Sequence, residues 1–168
     1  MSSLTEIRLA VAADRPALEQ IVRDAYAKYI PRIGKPPGPI LDDYARRIAD
    51  RQAWVLTDAG TIAAVLVLVP GPDHLLLDNI AVAPDRQGRG YGRRLLAFAD
   101  AEATRRGYRE LRLYTHEKMH ENLAIYRAHG WQEYARANEA GYDRVFMQKL
   151  AVGVPVRPDL DQSQSESP

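Results

Sequence analysis

The stretch that decides the fold is NIAVAPDRQGRGYGRRLLAF, residues 79–98. It begins as an apolar strand and ends with the spacing of an amphipathic helix. Between them, residues 88–94 hold three glycines and three arginines. Glycines and arginines at a strand-to-helix junction indicate either a site that binds an anion or a tight turn with solvent-exposed arginines.

Physical chemistry favours the anion. The first N–H groups of a helix have no acceptor within the helix, and they lie at the positive end of the helix dipole. Such an N-terminus binds phosphate readily. Gly88, Gly90 and Gly92 remove the side chains that would hold an anion away from the backbone. Positive charge is added close by, from Arg86, Arg89, Arg93 and Arg94.

Two phosphate-binding motifs are excluded at this junction. Arg93 stands where the dinucleotide pattern G-x-G-x-x-G requires its last glycine. No Gly-Lys-Ser/Thr follows, so the junction is not a P-loop.

Upstream of the junction, the pattern predicts a strand and two helices, then three strands. Asp14 is the expected N-cap of the first helix, with Pro16 in its first turn. PRIGKPPGP (31–39) reads as an extended connector, and ILDDYARRIADR (40–51) as a second, short helix. Two strands follow around the turn at residues 58–60, and a third ends at Pro84.

Downstream, we expect a helix from about Gly90 to Arg106, with Gly107 as its C-cap. A strand, a short helix ending at Gly130 and a final hairpin complete the order. The fold class predicted is α/β (α+β): a mixed, mostly antiparallel twisted sheet of six to seven strands with about four helices and βαβ-type crossovers.

Composition describes an ordinary soluble protein of 168 residues, 46% apolar and 27% charged, with a net charge of +1. This charge gives no reason to expect nucleic acid or a membrane as a partner. The chain lacks cysteine, which excludes disulfides and thiol catalysis. No leader and no membrane-spanning run is apparent, so we expect a cytoplasmic protein. Residues 1–151 are predicted to form one domain, and residues 152–168 a polar, disordered tail.

The junction resembles a known family. Gln87, Gly90 and Gly92 match the Q/R-x-x-G-x-G/A signature of the GNAT superfamily of acetyl-CoA-dependent N-acetyltransferases. The resemblance implies that the loop holds the pyrophosphate of coenzyme A, and that the backbone of the preceding strand pairs with the pantetheine arm. The implied cofactor residues are Ile80, Ala81, Val82, Gln87, Gly88, Arg89, Gly90, Tyr91 and Gly92.

A second motif, NLAIYRAHGW (122–131), supplies an independent comparison. Asn122 and Tyr126 are four residues apart and so share one helix face. Taken alone, they could equally be a helix-start residue and a core aromatic. GNAT proteins carry an Asn and a Tyr in this helix, followed by a glycine and an aromatic, as Gly130 and Trp131 follow here. The resemblance implies that Asn122 contacts the cofactor and that Tyr126 is the general acid for the departing thiolate.

The general base is less defined. Asp78 is the first candidate for the base. It lies two and four residues before Ile80 and Val82 on the predicted strand, so all three side chains are expected on one face of the sheet. His116 has the better intrinsic pKa for the task. The remaining candidates are Glu117, His120 and Glu121. The four histidines are too scattered to predict a metal site.

The resemblance implies direct transfer of acetyl from acetyl-CoA to a primary amine of a small molecule, peptide or protein, with the oxyanion held by a backbone amide near Val82. A non-catalytic acyl-CoA-binding module remains the alternative, and a homodimer remains open. A nucleic-acid binder is disfavoured because Tyr91 is the sole aromatic residue in the basic cluster. The acceptor amine is expected to bind next to the connector, in a cleft that four residues could shape: Tyr26, Tyr29, Ile33 and Trp54. Packing in the core would explain these four residues equally well.

Overall fold

A computed structural model describes residues 4–151. In this range one sheet has the strand order β1-β2-β3-β4-β5-β7-β6. Its strands are β1 (Thr5–Leu9), β2 (Ala53–Asp58), β3 (Thr61–Pro70), β4 (Leu75–Val82), β5 (Glu110–His116), β6 (Gln132–Glu139) and β7 (Tyr142–Leu150). The helices are α1 (Arg15–Tyr26), α2 (Tyr29–Ile33), α3 (Gly38–Leu41), α4 (Tyr44–Ala49), α5 (Tyr91–Arg105) and α6 (His120–Ala128). The predicted mixed, mostly antiparallel sheet is confirmed; the predicted tail lies outside the described residues.

Helices cover both faces of the sheet. Leu95 and Ala99, one turn apart on α5, pack with Leu66 of β3 in one apolar cluster. On the opposite face, Leu18 and Val22 of α1 belong to a second cluster with the valines of β2 and β3. Because β3 is buried on both faces, its sequence is a continuous apolar run rather than an alternating one.

The sheet opens between β4 and β5. These two strands are parallel, joined through α5, and they pair at Leu75–Leu111 and Leu76–Arg112. Beyond those pairs, residues 77–79 of β4 and residues 114–116 of β5 line one cavity. The separation of the two strands therefore creates the opening in which the candidate site lies.

One local prediction is wrong, and a second is confirmed only in part. The connector is not extended, since α2 and α3 lie in it. Pro31 and Pro39 fall in the first turns of these short helices, where the missing proline N–H is not needed. Asp14 is the N-cap residue of α1, as predicted, but its side chain does not cap that helix: the carboxylate accepts from the Val11 N–H at 2.7 Å and pairs with Arg8.

A buried polar network fixes β4 against the N-terminal helices. The Tyr26 hydroxyl donates to Asn79 Oδ1 at 2.7 Å, and Asn79 Nδ2 donates to the Tyr44 hydroxyl at 2.9 Å. Asn79 is only 2% exposed, so these bonds replace those that water would make. The network holds α1 and α4 to the strand that borders the opening.

Replacing Tyr26 by phenylalanine is expected to lower the free energy of unfolding by about 1–3 kcal/mol, because the buried Asn79 oxygen loses its shortest donor. Denaturant unfolding measures the change. Tyr134→Phe is the matched control, since that ring is 43% exposed and its loss of a hydroxyl should change stability by less than about 0.5 kcal/mol. Equal stabilities of the two variants would contradict the role of the network.

Candidate active site

Two cavities meet inside the opening. The glycine-loop cavity, about 470 Å³, runs along the end of β4 and the start of α5. The connector cavity, about 310 Å³, lies between the strand ends and the segment that carries α2 and α3. Tyr26, Asn122 and Tyr126 line both cavities. A molecule in one cavity therefore faces a molecule in the other at these three side chains.

The loop before α5 presents unpaired backbone donors to the first cavity. Within residues 4–151, no backbone carbonyl accepts from the N–H groups of residues 87–93; the first bond of α5 runs from Arg94 N to Gly90 O. Gly88 and Gly90 both have φ of +82°, and a Cβ added at either would meet nothing within 4 Å. The loop thus leaves open space in front of free N–H groups, as a diphosphate requires.

The edge of β4 offers a second set of backbone groups. Ala83 N donates to Ala63 O of β3, and successive peptide groups alternate in direction along a strand. The N–H and C=O groups of Ile80 and Val82 therefore point away from β3 into the opening. In agreement, the Ile80 carbonyl oxygen lies 3.1 Å from the Tyr26 hydroxyl oxygen, and the Val82 carbonyl accepts from Gln87 Nε2. An extended amide-containing chain can pair with this edge.

Nearly all of the sequence-predicted cofactor residues line the glycine-loop cavity. Arg89 does not: it is exposed and outside the lining, whereas Arg86 and Arg93 belong to it. Tyr91 also has a structural role, since its buried ring packs in the core and its hydroxyl donates to Asp58. The lining residues predicted from the sequence are Ile80, Ala81, Val82, Gln87, Gly88, Gly90, Tyr91, Gly92 and Asn122.

Tyr126 lies at the junction of the two cavities. Its ring packs edge-on against Trp131 with ring centroids 6.1 Å apart, and the residue is 6% exposed. Burial raises the pKa of the Tyr126 phenol, so it remains protonated at neutral pH. Among the described residues its hydroxyl has no hydrogen-bond partner, which leaves its proton available to a ligand.

Asp78 lies in the connector cavity, on a bulge of β4. Val67 pairs with Asn79 and Leu68 with Leu77, so Asp78 has no partner on β3. The bulge breaks the alternation, and the predicted shared face is wrong: Ile80 and Val82 pack towards the α5 cluster, whereas Asp78 contacts Arg47 of α4.

The environment of Asp78 suits a proton acceptor. Burial raises the pKa of its carboxyl, and Arg47, with Nη2 3.5 Å from Oδ2, opposes that rise. The Tyr114 hydroxyl donates to the other carboxylate oxygen at 3.3 Å. Arg47 is in turn held by Asp42 at 2.9 Å. The result is a mostly buried carboxylate with a raised pKa that faces the cavity.

His116 is a poorer base than its intrinsic pKa suggests. Backbone N–H groups approach both ring nitrogens, from Lys118 at Nδ1 and from Asp143 at Nε2. A protonated imidazole has no acceptor for either group. Burial also lowers the pKa of His116, so the ring is held neutral.

The other base candidates are not placed for the task. Glu121 lines the glycine-loop cavity, where an ion pair with Arg32 lowers its pKa to about 2. Glu117 and His120 are in the lining of neither cavity.

Of the residues expected to shape the acceptor cleft, Tyr26 and Ile33 line the connector cavity and Tyr29 lines the glycine-loop cavity. Trp54 lines neither: its ring packs on Phe98 at 4.7 Å. Sequence reasoning missed Arg47, Tyr114 and Arg144, which also line the connector cavity. They come from separate elements, and no local motif connects them.

Residues 4–151 contain no cluster of three or more potential metal-ligating side chains. No helix in this range is long and apolar enough to cross a membrane.

Comparison with known proteins agrees with this geometry. A family model described as "Acetyltransferase (GNAT) domain" matches residues 49–133. The structure is similar to the ribosomal-protein-S18-alanine N-acetyltransferase of Escherichia coli, with a TM-score of 0.71, 26% identity, and coverage of 91% of this chain and 99% of that one. It also shares its fold with the PaiA N-acetyltransferase of Thermoplasma acidophilum, solved with coenzyme A, with a TM-score of 0.71, 19% identity, and coverage of 89% and 99%.

A curated relative matches over a shorter stretch. N-alpha-acetyltransferase 80 of Mus musculus is 43% identical over 49 residues, which is 29% of this chain and 16% of that protein's length.

Fold and cavities together define an acyltransferase whose acetyl donor is acetyl-CoA. The chain belongs to the GNAT acetyltransferase family. The membership agrees with an acyltransferase, and release of free thiol from acetyl-CoA distinguishes it from a non-catalytic acyl-CoA-binding module of the same fold.

Proposed function

We propose that the protein transfers the acetyl group of acetyl-CoA directly to a primary amine that enters through the connector cavity. The observation that carries the proposal is the position of Tyr126, which lines both cavities at their junction. The amine acceptor is further supported by the names of two similar proteins, an N-alpha-acetyltransferase and a ribosomal-protein alanine N-acetyltransferase.

The residues of the glycine-loop cavity fit coenzyme A. Backbone N–H groups of residues 87–93 would hold the pyrophosphate, and the edge of β4 at Ile80 and Val82 would pair with the pantetheine amides. Asn122, at the cavity junction, would contact the cofactor. When bound, acetyl-CoA supplies a thioester carbonyl that the amine can attack. The Val82 N–H, which points into the opening, is the proposed donor to the carbonyl oxygen.

Two side chains would move the protons. A primary amine arrives mostly as an ammonium ion, and the Asp78 carboxylate accepts the proton that must leave before nitrogen can attack. The Tyr126 hydroxyl donates its proton to the departing sulfur. The nitrogen loses its second proton as the amide forms, and this proton restores the Tyr126 phenol once the thiol has been protonated.

The direct test is release of free thiol from acetyl-CoA with a panel of small amines, amino acids and peptides. We expect release to depend on an added amine and the acetylated amine to appear in equal amount by mass spectrometry. Tight binding of acetyl-CoA with no amine-dependent thiol release across the panel would contradict the proposal.

Replacing Asp78 by asparagine is expected to lower kcat/KM by about a hundredfold to ten-thousandfold and to change its pH dependence. The wild-type carboxylate acts only when deprotonated, so kcat/KM falls as the pH drops through its pKa. Because burial raises that pKa, the acid limb lies above the value of about 4 of an exposed aspartate. pH–rate profiles of both proteins check this; a limb that persists unchanged in the variant would exclude Asp78 as the base.

Asp143→Asn provides the matched control. Asp143 is exposed on β7 and lies outside the lining of both cavities. The control variant should keep the wild-type acid limb.

Three expectations from the sequence stay predictions: a cytoplasmic location, a single domain over residues 1–151, and the absence of a nucleic-acid partner. Whether the protein forms a homodimer stays open.

A further inference from the structure

Arg144 places a positive charge in the wall of the connector cavity. It lies on β7, where it pairs in register with His116, the last residue of β5. Its guanidinium carbon sits 4.4 Å from the centroid of the Tyr114 ring and 5.7 Å from that of Tyr142. Contact with these two rings restrains the guanidinium, and a guanidinium that lies on an aromatic face still has N–H donors for an anion.

The ion pair that Arg144 forms is weak, so its guanidinium can still bind a ligand. Its carboxylate contact is Glu139 on β6, with Nη1 3.6 Å from Oε2, and the Glu139 side chain is half exposed. An ion pair of this length and exposure contributes little. The guanidinium has five N–H donors, so a carboxylate in the cavity can bind it at two of them.

The negatively charged Asp78 and the positively charged Arg144 both contact the side chain of Tyr114. The Tyr114 hydroxyl donates to Asp78, while Arg144 stacks on the face of the Tyr114 ring. The other cationic side chain of the cavity, Arg47, pairs with Asp42 at 2.9 Å and with Asp78 at 3.5 Å. His116 is held neutral. One cation between two carboxylates leaves a net negative charge at Asp42 and Asp78, and Arg144 is a positive group on the other side of Tyr114.

We propose that the acceptor is a zwitterion of the free amino acid type, with its amine at Asp78 and its carboxylate at Arg144. This inference rests on the proposed function and specifies its substrate class. The rest of the wall mixes polar side chains, among them Asn79, Thr115 and Asn122, with the apolar side chains of Ile33, Leu41 and Met119. An acceptor with an apolar side chain such as leucine can pack against the apolar part of this wall, within a cavity of about 310 Å³.

The alternative acceptor is a peptide N-terminus, which has a neutral amide where the amino acid has a carboxylate. An amide cannot form a charged bidentate pair with Arg144. A free amino acid and its amide, identical in side chain, therefore distinguish the two classes. Their amines differ in pKa, so the decisive comparison uses the acetylated forms, which have no titrating amine.

Calorimetric binding of N-acetylleucine and N-acetylleucinamide to the CoA-loaded protein tests the proposal without turnover. We expect N-acetylleucine to bind the wild type about tenfold to a hundredfold more tightly than the amide. In Arg144→Gln the ratio of the two affinities should fall towards one, and in Arg144→Lys it should be partly retained. Arg15→Gln, at the far end of α1 from Tyr26, should keep the wild-type ratio.

Turnover of leucine, leucinamide and a leucine-initiated tripeptide completes the test. Equal binding of the two acetylated ligands by the wild type, or an unchanged ratio in Arg144→Gln, would overturn the zwitterion. Preference for the tripeptide would also overturn it and would assign a peptide N-terminus, while leaving the proposed function intact. Failure of the proposed function has a different signature, because no amine of any class would then be acetylated although acetyl-CoA binds.

Discussion

Replacing Gly90 by aspartate is expected to weaken coenzyme A binding by about a thousandfold. The added carboxylate would have room, since a Cβ at Gly90 meets nothing within 4 Å, and Gly90 lines the cavity beside the free N–H groups of residues 87–93. Repulsion between a carboxylate and a phosphate about 4 Å apart costs about 4 kcal/mol at the dielectric of a protein surface. Calorimetric titration with coenzyme A measures the loss.

Two matched variants separate charge from backbone strain. Gly90→Asn adds nearly the same volume without a charge, and both Asn and Asp tolerate a positive φ better than other side chains. It should retain most of the affinity. Gly107→Asp adds the same charge at a glycine with a similar φ, +84°, and similarly open surroundings, but at the opposite end of α5. Normal binding by Gly90→Asp, or an equal loss in Gly107→Asp, would contradict the pyrophosphate site.

The glycine loop was predictable from the sequence because its determinants are local. A left-handed turn, a helix start and the free N–H groups of the first turn all depend on residues within a few positions of one another. Asn122 and Tyr126 were accessible for the same reason, since a spacing of four residues places them on one helix face. Their meeting with the loop cavity was expected from the family resemblance rather than from any local pattern.

The acceptor side was not predictable in the same way. Alternation along β4 was expected to place Asp78 beside Ile80, but one unpaired residue in the β3–β4 ladder breaks that alternation. Arg47 and Arg144 reach the connector cavity from α4 and β7, far apart in the chain. The connector was expected to be extended, since its prolines and glycines do not reveal that they start and end the short helices α2 and α3. Charge partners brought together by tertiary packing leave no periodic signal.

Replacing Tyr126 by phenylalanine is expected to lower kcat by about a hundredfold to ten-thousandfold, the usual range for loss of a general acid. The affinity for coenzyme A should stay nearly unchanged, because among the described residues the Tyr126 hydroxyl contributes no hydrogen bond and the ring contact with Trp131 is kept. Since burial raises the pKa of Tyr126, its proton is lost only as the pH rises through that raised value. The wild type should therefore show no alkaline limb from this group below about pH 10.

Tyr108→Phe shows what loss of a hydroxyl does elsewhere in the fold. Tyr108 donates to the Gly71 carbonyl at 2.9 Å and lines neither cavity, so its variant should lose about 1 kcal/mol of stability and keep the wild-type kcat. The two variants should thus have opposite effects. Tyr126→Phe should lower kcat and leave the free energy of unfolding unchanged, whereas Tyr108→Phe should lower the free energy of unfolding and leave kcat unchanged. A near-normal kcat in Tyr126→Phe would remove the acid role. A parallel loss of coenzyme A affinity would instead make Tyr126 a positioning residue, since a proton donor acts on the departing sulfur and not on cofactor binding.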